Sequence, residues 1–148
     1  MSQARACWSV LLNKAQDEVS RIQGELQQLR LRGQSLQESR TRLMRLYADY
    51  QQPAEAGSTS AGMHETMNRR QFAAQLLTLL QRVEQVITQL ERVLAGVRLR
   101  LVEAEKERMK MQALVDQDLA LARKSAAQRE QRQMDDLGVL QFNLGSSA

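Results

Sequence analysis

Residues 12–50, LNKAQDEVSRIQGELQQLRLRGQSLQESRTRLMRLYADY, place an apolar side chain at alternating steps of three and four. Ten of the twelve positions reached by these steps from Leu12 are apolar or aromatic. A 3.5-residue repeat of this length predicts a coiled-coil helix, which Trp8 extends by one step. The positions are Leu12, Ala15, Val19, Ile22, Leu26, Leu29, Gly33, Leu36, Arg40, Leu43, Tyr47 and Tyr50.

The repeat stops at a connector, residues 52–62, which reads QPAEAGSTSAG. Pro53 cannot continue a helix, Gly57 relaxes the backbone, and the Ser-Thr-Ser run favours turns. A second apolar repeat then predicts a helix over about residues 63–137, followed by a flexible tail at 138–148. Its stripe contains Phe72, Leu76, Leu79, Val83, Val86, Leu90, Val93 and Val97, and after a four-residue stutter Leu101, Ala104, Arg108, Met111 and Val115.

Two unequal helices on either side of one connector predict an all-α fold, a long antiparallel two-helix coiled-coil hairpin that forms a single domain. The first helix is expected at about residues 3–51. Folding back at Gly57 would place residue n opposite about residue 114 − n. The helices would then be about 75 Å and 110 Å long at 1.5 Å per residue. From about Leu114 onward the second helix would have no partner within the chain.

Catalytic, metal and membrane chemistry find no support in the sequence. One cysteine, Cys7, excludes an intramolecular disulfide, and the one histidine, His64, is expected to be a solvated side chain beside the connector. We expect no enzyme activity and no cofactor. No segment approaches the roughly 20 apolar residues that span a bilayer. The net charge of +4 is mixed along both helices, so nucleic-acid binding has little support. The sequence predicts a cytoplasmic protein that acts by binding other proteins.

Two places are candidates for partner binding. Tyr47, Tyr50 and Phe72 gather near the connector, where they either close the coiled coil or present an aromatic patch to a partner, and both roles can coexist. The overhang at residues 114–136 is either a solvated tail or a helix that becomes ordered against another protein.

The layout resembles the FliJ family, the small coiled-coil component of the flagellar type III export apparatus. The first helix ends in LMRLYADYQQ, and the second opens with QFAAQLLTLLQRV, in which Phe72, Leu76 and Leu79 are similar to the family's pattern. The stretch EKERMKMQALVDQDLALARKSAAQREQRQMDD is similar to the family's C-terminal region. The resemblance covers nearly the whole chain.

This resemblance implies a non-catalytic stalk, similar to the central stalk of rotary ATPases. One end of such a stalk enters the FliI hexamer and promotes its assembly and activity. The stalk also contacts the export-gate protein FlhA and substrate-specific export chaperones, at the inner face of the cell membrane at the flagellar base. The gate residues that the resemblance implies are Leu43, Tyr50, Phe72, Leu76 and Leu79, with Tyr47 as a substitute. Those expected at the ATPase ring are Leu114, Leu119, Leu121, Arg123, Lys124, Arg129 and Arg132.

The sequence departs from the family in two places. The family commonly spaces its two tyrosines four residues apart, whereas here Leu46 stands at the first position and Tyr47 follows it. Val83 replaces a residue that is polar in some members. The shifted tyrosine puts one gate contact in question.

Other interpretations of the sequence stay open. An injectisome stalk has the same physical features, and its genomic neighbours would distinguish it. A dimerising coiled-coil scaffold or secretion chaperone would differ in oligomeric state, because a hairpin that satisfies its own apolar face is a monomer when free. A nucleic-acid binder would show affinity that falls steeply with salt.

Overall fold

The computed structural model describes residues 2–52 and 62–146, with side chains at 6–52 and 62–146. These residues form two helices, α1 (Ser2–Gln51) and α2 (Gly62–Ser146), and contain no strand. The predicted all-α helical hairpin is confirmed. Of the predicted connector, Pro53 and Gly57 lie outside the described residues.

The face of α1 that packs against α2, here called the α1 seam, is the stripe that the sequence predicted. All thirteen predicted positions, from Trp8 to Tyr50, are buried or half-buried. Val19, Ile22 and Leu26 are the most buried, with 6%, 2% and 6% of their surface exposed. A 3.5-residue repeat therefore holds from Trp8 to Tyr50.

The segment Arg21–Leu101 forms one compact unit, in which the two helices run antiparallel. Arg100 Nη2 lies 2.7 Å from Glu25 Oε1, and Arg40 Nε lies 3.4 Å from Glu84 Oε1. In these pairs the two residue numbers add to 125 and 124, so the predicted register of 114 is wrong. The predicted register assumed that the turn between the helices is centred on Gly57. In the structure, the first turns of α2 extend past the end of α1.

The α2 seam, the face of α2 toward α1, also differs from the predicted stripe. Leu80, Ile87 and Leu94 are half-buried where Leu79, Val86 and Val93 were expected. Apolar residues stand at both members of each adjacent pair, so the sequence pattern permitted either choice. The observed positions alternate steps of three and four without interruption, and the predicted stutter is wrong. They are Ala73, Leu76, Leu80, Val83, Ile87, Leu90, Leu94, Val97 and Leu101.

The second compact unit joins Met1–Ser20 to Val102–Ala148. The same alternation continues along α2 in this unit, and Ser125 is its last half-buried position. Every residue from 126 to 146 is exposed. The exposed end, residues 126–146, therefore begins twelve residues later than the overhang predicted from Leu114, because the register is shifted.

The second helix also continues further than predicted. It was expected to end near Leu137, with a flexible tail from 138, but α2 extends to Ser146. Gly138 has space for a Cβ around it and, like the other described glycines, does not adopt a positive φ. A glycine in such a helix weakens it by about 1 kcal/mol relative to alanine without ending it.

Candidate protein-binding surfaces

An aromatic pair lies where α1 ends against α2. The rings of Tyr50 and Phe72 have centroids 4.7 Å apart and are tilted by 53°. The guanidinium carbon of Arg69 lies 5.7 Å from the centre of the Tyr50 ring. An aromatic pair contributes about 0.5–1.5 kcal/mol beyond its buried area, and a cation over a ring at an exposed site about 0.5–1 kcal/mol. These contacts tie the last turn of α1 to α2.

A cleft of about 570 Å³ lies beside the aromatic pair. It is open to solvent, and its wall combines two aromatic rings with charged and polar side chains. The lining residues are Tyr50, Gly62, Glu65, Thr66, Asn68, Arg69 and Phe72. Aromatic rings together with polar groups are typical of a surface that accepts an apolar side chain from a partner.

The six residues expected at the export gate separate into two groups. Leu76 is only 4% exposed, and Leu43, Tyr47 and Tyr50 are half-buried in the α1 seam, so most of this set packs the hairpin. Tyr47 also accepts a hydrogen bond from Gln51 Nε2 at 2.6 Å, one turn further along α1. Phe72 and Leu79, by contrast, are 42% and 46% exposed. These two are the most exposed side chains of the set.

The residues expected at the ATPase ring also differ in exposure. Leu114 is half-buried, whereas Leu119 and Leu121 are 41% and 53% exposed. The basic side chains are exposed as well: Arg123, Lys124, Arg129 and Arg132. The accessible part of this set therefore lies at and after residue 119.

Two groups of exposed apolar residues were not predicted from the sequence. Val86 and Val93 were assigned to the α2 seam but are 41% and 42% exposed. The last turns of α2, which were assigned to a flexible tail from residue 138 onward, belong to a helical segment with six exposed apolar side chains. These are Met134, Leu137, Val139, Leu140, Phe142 and Leu144, between 57% and 75% exposed. Six of the eleven residues from 134 to 144 are apolar, and this density was the available signal.

Within residues 2–52 and 62–146, no group of His, Cys, Asp and Glu could hold a metal ion. Cys7 and His64 are exposed. Neither described helix has a stretch apolar and long enough for a membrane span.

Two long helices joined by a regular apolar seam define a coiled-coil protein, and its half-exposed apolar side chains favour contacts with other proteins. The comparison with protein families gives the particular family. Residues 8–147 match the family described as Flagellar FliJ protein, and the chain belongs to it. Membership makes it a flagellar export-associated protein in a family of non-enzymatic export components. Searches among curated proteins and among solved structures gave no match.

Proposed function

We propose that this chain is a non-catalytic stalk of the flagellar export apparatus, which inserts into the FliI ring and links that ring to FlhA and to substrate-specific chaperones. The observation that carries the proposal is the exposed end. Its 21 residues are helical, yet none of them is even half-buried. A helix of this kind gains stability when a surrounding protein covers its apolar side chains.

The exposed end supplies two kinds of contact to a ring. Arg129 and Arg132 can pair with carboxylates, whereas the apolar side chains from Met134 onward can enter pockets between subunits. A stalk stimulates its ring only if it binds one assembled or nucleotide-bound state more tightly than the others. Asymmetric contacts from a single helix to a symmetric ring provide such a difference in affinity.

The end of the hairpin at which α1 ends and α2 begins is proposed to contact FlhA. Phe72 and Leu79 supply exposed apolar surface, and the aromatic cleft beside Tyr50 supplies a pocket. Leu76 contributes indirectly, since its buried side chain packs α2 against α1 and so positions Phe72 and Leu79. The chain would be held at the inner face of the membrane through this contact.

A free monomer agrees with the seam. Buried and half-buried side chains on α1 face those on α2, so the coiled coil does not need a second copy to cover its apolar face. A dimeric scaffold would leave one of these faces for its partner. Sedimentation of the purified protein should give the mass of one chain.

The decisive experiment is reconstitution with the purified cognate export ATPase, with ATP turnover and ring assembly as readouts. We expect the full chain to increase both. Removal of residues 126–148 should abolish the increase, because it deletes the exposed end and leaves every half-buried position of the hairpin in place.

The matched control is Arg92→Gln with Arg98→Gln, which removes two exposed arginines of α2 that precede the exposed end by at least 28 residues in the chain. It should stimulate like the natural chain, whereas Arg129→Gln with Arg132→Gln should stimulate less. Circular dichroism checks that the truncated chain keeps its helices. Full stimulation by the truncated chain would refute insertion of the exposed end.

A further inference from the structure

Four apolar side chains form a line along the outside of α2. Phe72, Leu79, Val86 and Val93 recur every seven residues and are between 41% and 46% exposed. A seven-residue spacing keeps side chains on one side of a coiled-coil helix. This outer row is about 32 Å long at 1.5 Å per residue. It directly borders the seam, because each of its four members precedes a seam residue.

The outer row faces a matching row on α1. Arg100 stands seven residues after Val93, and it forms the 2.7 Å ion pair with Glu25. Glu25 belongs to the row on α1 that recurs through Arg32 to Leu46. The ion pair therefore shows that the two rows border the same side of the seam. Leu46, which is 44% exposed, adds a fifth apolar side chain to this side.

The other side of the seam carries charges. Its row on α2 begins with Leu77 and continues with Glu84 and Glu91, and Glu84 pairs with Arg40. Charged residues are what an isolated two-helix coiled coil places beside its seam, where they pair across the helices. The outer row departs from this pattern over three consecutive heptads, on one side only.

We propose that the outer row and Leu46 bind a third helix, an amphipathic helix with acidic flanks that is supplied by another protein. Two apolar positions per heptad cover the contact of a two-helix coiled coil, whereas helices of a larger bundle use three. From Phe72 to Val97, α2 has three apolar positions in nearly every heptad. Its sequence is that of a helix with two helical neighbours.

The charges on this side select the occupant. Arg82 stands three residues after Leu79 and four before Val86, so it lies along the outer row. On α1, Arg32 and Arg42 lie on the same side of the seam as the outer row, and Asp49 is an acidic residue on that side. Among the described residues these three arginines form no ion pair. A second copy of this chain would bring like charges together, whereas an acidic helix would pair with them.

The inference goes beyond the stalk function, because it concerns a helical partner that binds along the side of the hairpin. Phe72 and Leu79 also belong to the surface proposed for FlhA. The test therefore changes Val86 and Val93, which do not. Loss of ATPase stimulation and loss of third-helix binding can then be observed independently.

The probe is a fluorescently labelled synthetic helix of about 28 residues, which exceeds the outer row in length. It carries leucine at the two seam positions of each heptad and glutamate beside them. The glutamates can pair with the arginines on this side of the hairpin, and they also oppose pairing of the peptide with itself. A second peptide carries lysine in place of glutamate. Binding to the full chain is measured by fluorescence anisotropy at low and high salt.

We expect saturable binding of the glutamate peptide that weakens with salt, and much weaker binding of the lysine peptide. Val86→Gln with Val93→Gln should weaken binding of the glutamate peptide about tenfold or more, since the apolar contact of both side chains is lost. The matched control is Met44→Gln with Leu77→Gln, which removes two similarly exposed side chains away from the outer row.

Circular dichroism confirms that each variant keeps its helices. Absence of saturable binding, equal binding of the two peptides, or equal loss in both variants would overturn the proposal. A mass of two chains for the purified protein, abolished by Val86→Gln with Val93→Gln, would assign the outer row to self-association instead.

Discussion

Replacement of Gly33 by alanine tests how tightly the two seams pack. Gly33 occupies a half-buried position of the α1 seam, and a Cβ built there would lie 3.3 Å from Leu90 Cδ2. That distance is short by a few tenths of an ångström, so the Leu90 methyl must move slightly. A cleft of about 440 Å³, lined in part by Gly33, Ile87, Leu90 and Leu94, lies beside it and provides the space.

The change in the free energy of unfolding caused by Gly33→Ala has two favourable contributions and one small opposing contribution. Alanine in place of glycine stabilises a helix interior by about 1 kcal/mol. The added methyl group is partly buried and contributes at most about 0.8 kcal/mol. Rotation of the Leu90 side chain opposes these gains. We therefore expect Gly33→Ala to raise the free energy of unfolding by about 1–1.5 kcal/mol, with the melting temperature about 2–6 °C higher.

The assay is urea unfolding followed by circular dichroism, with Gly24→Ala as the matched control. Gly24 lies on the same helix and is exposed, and a Cβ added to it would meet no neighbouring side chain within 4 Å. Its replacement should give the helix-propensity gain alone. If Gly24→Ala stabilises the protein and Gly33→Ala destabilises it, then Leu90 cannot move, and the reasoning about space in the seam is refuted.

Two further predictions concern the aromatic end and the α2 seam. Tyr50→Ala with Phe72→Ala should weaken binding to the cytoplasmic part of FlhA in a pull-down or titration while leaving ATPase stimulation unchanged; a large loss of helicity would instead assign the rings a purely structural role. Leu76→Ala should lower the free energy of unfolding by about 2–5 kcal/mol, because Leu76 is buried, whereas Leu79→Ala should cost much less. Equal losses in urea unfolding would contradict the observed choice of seam residues.

The sequence was sufficient to predict α1 because over most of the helix, from Ala15 to Leu36, no seam residue has an apolar neighbour beside it in the chain. Between Trp8 and Tyr50 each seam residue is identified by its spacing, and even Gly33 and Arg40 lie where the repeat places them. Periodicity is a local property, so a single helix can be predicted from it.

The register could not be predicted in the same way. It depends on which turn of α2 meets which turn of α1, and contacts such as Glu25 with Arg100 are separated by 75 residues in the chain. A connector of known length limits the register without determining it. The starting point of the exposed end depends on the register, which is why Leu114 was placed in it and is instead half-buried.

The error in the α2 seam has a physical meaning of its own. Leu79–Leu80, Val86–Ile87 and Val93–Leu94 each offer two adjacent apolar residues, of which the seam takes the second. If α2 only had to pair with α1, the apolar side chain of the first residue in each pair would contribute nothing to that contact. Exposed apolar side chains also carry a risk of aggregation. The residues that made the pattern ambiguous are therefore the ones that a two-helix protein does not need. Their place along one side of the hairpin is the strongest reason to look for a third helix there.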